Sequence, residues 1–233
     1  MKTVSEITAN DIVREEVETL NFEDSLSKAK SRMENLGLRT MPVVQGNKFR
    51  GMVSYTELLK ESHSNPETTK VQKVIHQPPE FEGDEDLPSL AAKRINSGRS
   101  KFVILEGKKL KGVIGEEEMV YALSSDYKEL KGLKVADIAG SEVVEIIEDI
   151  KLDKARKKMI EGDISRLPVV DTDNKLVGIV RELDVLREMI TKDKMTQGEV
   201  KGEKESFSDI PVREVMSRTP LFTEDNLSVT GCI

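Results

Sequence analysis

The chain has 233 residues, 37% hydrophobic and 34% charged, and its 36 basic against 43 acidic side chains leave a formal charge of −7. That balance disfavours nucleic acid or an anionic membrane as the main partner. No signal-peptide core is visible, and no apolar run approaches the ~18 residues needed to cross a bilayer. The lone cysteine, Cys232, allows no intrachain disulfide, and the two histidines, His63 and His76, sit in polar, proline-containing connections. Metal sites and His-based nucleophilic catalysis are therefore poorly supported, and neither a Gly-rich phosphate loop nor a nucleophile–base pair is present. The expectation is a soluble, cytoplasmic protein that is not an enzyme.

A valine followed three residues later by another β-branched residue recurs at Val4…Ile7, Val71…Val74, Val135…Ile138 and Val212…Val215, with starts 67, 64 and 77 residues apart. A period of this size predicts stacked repeats, each burying its apolar face against a neighbour. Taken in chain order, unit one is expected over 1–62, unit two over 68–125, unit three over 132–191 and a partial unit four over 209–233.

In unit one, Leu26, Ala29 and Met33 have helical spacing, Pro42-Val43-Val44 reads as a strand, and Gln45-Gly46-Asn47 turns it back through Phe49 to Gly51-Met52-Val53. Ser54-Tyr55-Thr56-Glu57 has the form of a capping box, in which both side chains can be consumed by backbone N–H groups. Unit two follows at an offset of 61, with Leu87 for Leu26, Val103 for Pro42 and Gly112 for Gly51; Gly115 and Glu118 stand where Ser54 and Glu57 do.

Unit three shows the pattern most fully. A short helical lead-in at Val135–Ile138 precedes a strand at residues 143–147 and a helix carrying Leu152, Ala155, Met159 and Ile160, with Gly162 as its left-handed exit. Arg166-Leu167-Pro168-Val169-Val170 is a strand whose proline belongs at the first position, where no ladder donor is lost. After a turn at residues 171–174, residues 175–180 return as a strand, and a closing helix runs from about Glu182 to Ile190. The order is strand, helix, strand, strand, helix: an α/β fold of β-α-β-β-α units. Unit four stops after Thr219-Pro220-Leu221-Phe222 and a helix start at residues 225–227, so three units read as complete and the fourth as truncated. The connections at residues 61–70, 124–129 and 191–209 are polar, and the last, with Gly198 and Gly202, is expected to be mobile.

Pro42-Val43-Val44 with Gly51-Met52-Val53-Ser54-Tyr55-Thr56-Glu57, and Pro168-Val169-Val170 with Gly178-Ile179-Val180-Arg181-Glu182-Leu183-Asp184, resemble the cystathionine-β-synthase (CBS) domain family. Unit two keeps only Gly112-Val113-Ile114-Gly115-Glu116-Glu117-Glu118. The resemblance implies that units pair into pseudo-symmetric modules, one with two and three with four. It also implies a regulatory protein that binds AMP, ADP, ATP or S-adenosylmethionine in clefts between paired units, requires no cofactor or metal, and acts as a homodimer or on a protein target. The alternative is a ligand-free scaffold for assembly.

An adenosyl ligand needs an apolar slot for adenine, an acceptor for the two ribose hydroxyls and donors for phosphate or carboxylate. By resemblance, Asp184 would accept the ribose and Arg181 and Arg166 would engage the anionic end. Either arginine could equally be exposed and paired with Glu182 or Asp163. Leu167 and Pro168 would line the adenine slot, closed by Ala139, Gly140 and Ser141. Asp184 also suits the helix dipole, but with Arg181 at the N-cap position a capping box does not account for it. In unit one Thr40, Met41, Pro42, Ser54 and Glu57 occupy the same places, where core packing and capping are the simpler reading.

Overall fold

The computed structural model describes residues 4–61, 64–97, 101–123, 132–140, 142–196 and 207–229; Ser141, His63 and Cys232 lie outside them. After the short lead-in helix α1 (Ala9–Ile12), the first repeat builds β1 (Leu20–Asn21), α2 (Leu26–Asn35), β2 (Thr40–Gln45), β3 (Lys48–Ser54) and α3 (Tyr55–Lys60). The second supplies β4 (Glu80–Phe81), α4 (Leu87–Ser97), β5 (Lys101–Glu106), β6 (Lys109–Gly115) and α5 (Glu116–Leu123). The third has its lead-in α6 (Val135–Ile138), then β7 (Ile146–Ile147), α7 (Leu152–Gly162), β8 (Arg166–Val170), β9 (Leu176–Arg181) and α8 (Glu182–Thr196).

Each repeat folds a three-stranded sheet in which the middle strand is parallel to the first and antiparallel to the third. The helical spacing read from sequence buries Leu26, Ala29 and Met33 on α2, and Leu152, Ala155 and Met159 on α7. Ser25 caps α2 by accepting the Lys28 N–H at 3.2 Å, which satisfies one donor left over at the helix start.

Several expected boundaries move. The strand foreseen at residues 143–147 is reduced to Ile146 and Ile147, the two residues that meet Val169 and Val170; Val143 and Val144 are exposed. Pro168 is the third residue of β8, not the first. It is tolerated there because the parallel neighbour reaches only Val169 and Val170, so the donor proline lacks is not asked for. Gly162 stays helical and Asp163 takes the left-handed cap conformation at φ 50°, one of the few non-glycine residues suited to it. The closing helix runs on to Thr196, into the stretch expected to be a linker. Residues 225–226 form a turn where a helix start was expected.

The lead-ins cross over. Ala9 and Asn10 donate to Glu85 O and Gly83 O, Leu87 donates to Ile7 O, and Arg14 pairs with Val113, so the chain before β1 packs on the second repeat. Reciprocally, Val71 and Val74 join the core of the first repeat and His76 pairs with Met52 on the free edge of β3. The same exchange recurs further along: Ile210, Val212 and Met216 enter the third repeat's core and Ser217 pairs with Ile179, while Val135 and Ala136 donate to Leu227 O and Asp225 O.

This crossing explains the glycine of each Gly-aliphatic-aliphatic segment. A Cβ on Gly51, Gly112 or Gly178 would stand 2.8 Å from His76 O, 2.5 Å from Arg14 O or 2.7 Å from Ser217 O. The incoming lead-in lies against the sheet edge at a distance only glycine permits.

The first and third repeats share one apolar core, in which Leu58 and Leu59 of α3 join the same cluster as Val185, Leu186 and Met189 of α8. Arg156, buried on α7, donates to Leu59 O at 3.0 Å and also holds Asp153. The second repeat has a separate core around Phe81 and Phe102, and Met52, Val103 and Val113 join its sheet to that of the first.

Candidate functional site

Strand starts and helix starts of the three repeats converge on a cavity of 390 Å³, where Arg39, Thr40, Ser54, Thr56 and His76 of the first repeat face Arg94, Lys101 and Glu116 of the second. Asp163, Ser165, Arg166 and Glu182 of the third complete its lining. Thr40, Lys101 and Arg166 occupy one repeat position, two residues before the second apolar residue of each middle strand's run. Glu116 and Glu182 share another, the first residue of the closing helix. Equivalent backbone positions thus point their side chains at one centre.

The cations of this cavity differ in what holds them. Arg39 donates to Glu182 Oε2 at 2.7 Å, and Arg94 is bound to Glu116. The side chains of Lys101 and Arg166 make no hydrogen bond or ion pair among the described residues, so Arg166 pairs with neither Asp163 nor Glu182. Burial, with Arg14 adding repulsion, holds the Lys101 ammonium below the usual lysine range. Unpaired cations beside the hydroxyls of Thr40 and Ser165 form a donor set for an anion with several oxygens, whereas the Ser54 hydroxyl already donates to Glu57.

Next to it, a slot of 100 Å³ between the first two repeats is lined by Leu38, Pro42, Val17 and Val113, with Arg14, Glu16 and Glu18 at its rim. Thr40 and Lys101 line both spaces, so the slot and the cationic cavity adjoin at these two residues.

The acid three residues into each closing segment has a structural task in all three repeats. Glu57 accepts the Ser54 N–H at 3.0 Å, Glu118 the Gly115 N–H at 2.7 Å and Asp184 the Arg181 N–H at 3.0 Å. Contrary to the expectation from sequence, capping does account for Asp184: the carboxylate caps a backbone N–H and needs no hydroxyl at position 181. Arg181 then closes a fork on the same carboxylate, at 3.0 Å from Nε and 2.8 Å from a terminal nitrogen. Asp184 is buried, and neither it nor Arg181 lines the central cavity.

Glu57 borders the cavity through His76, whose Nδ1 stands 3.2 Å from Oε2. Burial raises the Glu57 carboxyl, but the imidazole and the Ser54 hydroxyl and amide outweigh it and bring its pKa down to about 2.

Of the other residues expected at a site, Thr40, Ser54 and Arg166 line the cavity and Pro42 the slot. Leu167 and Met41 are fully buried in the shared core rather than in a cleft. Pro168 is half-buried in β8 and lines neither space. Ala139 and Gly140 are exposed and belong to neither space, and Ser141 is outside the described residues. Arg39, His76, Arg94, Lys101, Glu116, Thr56, Ser165 and Glu182 were not foreseen. Comparing the repeats column by column, and asking where cations recur at strand starts, would have found Lys101 beside Arg166.

The CBS domain family model matches residues 9–64 and 135–191. The chain is a tandem CBS-domain protein. Over 229 residues, 95% of its length, it is 33% identical to the uncharacterized protein MJ1404 of Methanocaldococcus jannaschii, of which it covers 52%. It is 25% identical over 170 residues to the cystathionine beta-synthase of Saccharomyces cerevisiae, covering 33% of that enzyme. This CBS protein spans about half the length, or less, of the curated relatives named here. Its fold superposes on protein MJ1225 of M. jannaschii with a TM-score of 0.84 at 16% identity, covering 97% of this chain and 87% of that one. A Pyrococcus horikoshii protein follows at 0.59 and 19%, covering 97% and 84%. Among the described residues no helix is long and apolar enough to cross a membrane, and no cluster of His, Cys, Asp or Glu could hold a metal ion.

Proposed function

We propose that this CBS protein is a regulatory module that binds an adenine nucleotide, its base in the slot between the first two repeats and its phosphate in the central cavity. The observation that carries this reading is the pair Lys101 and Arg166, two cations with no ion-pair partner among the described residues, lining one cavity. Charge-assisted hydrogen bonds from a guanidinium and an ammonium, with the Thr40 and Ser165 hydroxyls beside them, suit phosphate oxygens. The fold neighbour MJ1225 is likened to the g-AMPK subunit, which agrees with a sensing role. Three repeats contribute to the cavity, so a ligand there would shift their relative positions, and it does so only to the extent that it prefers one arrangement. The target acted on would be another protein or a further segment. Association of two copies would bury the exposed Val120 and Tyr121 of α5.

A ligand-free scaffold has one observation in its favour: Glu57, Glu118 and Asp184 are all engaged in capping. A thermal-shift panel of adenosine, AMP, ADP, ATP and S-adenosylmethionine separates the two. A true ligand at 100 times its Kd adds about 2.7 kcal/mol of stability, and Arg166→Ala removes that gain. Silence toward every compound would leave the scaffold as the better account. Asp184→Ala lowers the melting temperature even without ligand, by the loss of a cap worth about 0.5–2 kcal/mol.

A further inference from the structure

Glu182 places a carboxylate inside a cavity whose cations are suited to phosphate. It is the first residue of α8 and is 3% exposed. Its Oε1 accepts the Thr56 hydroxyl at 2.6 Å and its Oε2 accepts the Arg39 guanidinium at 2.7 Å. Both oxygens are thus taken by first-repeat donors that would otherwise be open to a ligand. Glu116, at the same repeat position but exposed, pairs with Arg94 of its own repeat.

The cavity's four cations therefore fall into two classes. Lys101 and Arg166 are unpaired among the described residues, while Arg39 and Arg94 already have anions on them. Two free positive charges match the double negative charge of a single terminal phosphate. A longer phosphate chain needs a third cation, and Arg39 of the same lining is released only if Glu182 is left buried beside the incoming negative charge. Leaving a buried carboxylate unpaired is strongly unfavourable, and like charges at close range add to it.

We propose that Glu182 is a specificity-determining residue: by occupying Arg39 and Thr56 and presenting a fixed negative charge, it restricts the cavity to nucleotides with few phosphates. This rests on the phosphate-binding reading above. It is discrimination through a repulsive element, in which the disfavoured ligand meets a buried charge rather than merely lacking a contact.

The test is calorimetric titration of AMP and of ATP into the wild-type chain, Glu182→Gln and Arg39→Ala. Glutamine keeps the shape and removes the charge, so the ATP-to-AMP affinity ratio is expected to rise at least tenfold. Arg39 is half-exposed, so its truncation leaves the core intact. It strips Glu182 of its counter-charge, and the ratio is expected to fall at least threefold. Combining the two substitutions removes the gain seen in Glu182→Gln. AMP binding with an unchanged ratio in both single variants overturns the specificity role and leaves the phosphate site standing. A wild-type chain silent to AMP overturns the phosphate site as described. In that case, ATP binding acquired by Glu182→Gln still supports Glu182 as the barrier, and continued silence overturns both.

Discussion

Arg39 and Glu182, 143 residues apart in sequence, are 2.7 Å apart in space. Their contact lies at a seam where the first and third CBS repeats merge into one apolar core. Arg187 of α8 reaches Glu34 of α2 on the same seam, and Arg156 of α7 caps the carbonyl of Leu59 near the end of α3.

The last of these contacts has a measurable weight. Arg156 satisfies a carbonyl that the end of α3 leaves without a helical partner, and its removal leaves that buried acceptor bare. Arg156→Ala is expected to destabilise the protein by about 1–3 kcal/mol. Urea unfolding, followed by circular dichroism, should show a lower midpoint and an unchanged slope. A midpoint unmoved by the substitution would mean the carbonyl finds water instead.

The close passage of the lead-ins gives a second outcome. In Gly178→Ala the new methyl would meet Ser217 O and Met216 Sδ, both at 2.7 Å. Overpacking of this kind costs about 1–3 kcal/mol. Thermal unfolding of Gly178→Ala should therefore begin earlier than that of an alanine placed at exposed Gly140, where nothing lies within 4 Å.

Glu57 sets a pH dependence. Its pKa falls from 4.5 to about 2 in the folded chain, so at intermediate pH the unfolded chain takes up a proton that the folded one resists. The stabilisation is complete above about 4.5 and is lost as the pH falls toward 2. Stability measured from pH 6 down to 3 should decline in the wild type, and Glu57→Gln should flatten that decline. Parallel curves for the two proteins would show that the carboxylate is not held as described.

Much of the fold is legible in the sequence because each repeat writes its core in local periodicity. Leu26, Ala29 and Met33, and again Leu152, Ala155 and Met159, announce which helix faces are buried. The lead-in exchange is not legible in this way. Val71 and Val135 look alike locally, and nothing in a three-residue spacing says that Val71 enters the first repeat's core while Val135 belongs to no core cluster among the described residues. The cavity suffers from the same limitation. Sequence directs attention to Asp184 because it stands alone in a motif, whereas the residues brought together are single positions from three repeats, and Lys101 means little until Arg166 is seen opposite it. Asp184 illustrates the converse: a conspicuous acid whose two oxygens are spent on Arg181.

The central claim is that Lys101 and Arg166 receive phosphate. Isothermal titration of AMP against adenosine, in the wild type and in Arg166→Ala, tests it most directly. Charge-assisted hydrogen bonds of about 1.5–3 kcal/mol predict that AMP binds at least tenfold more tightly than adenosine, and that Arg166→Ala removes most of this advantage. Equal affinity of the wild type for AMP and adenosine would contradict the account.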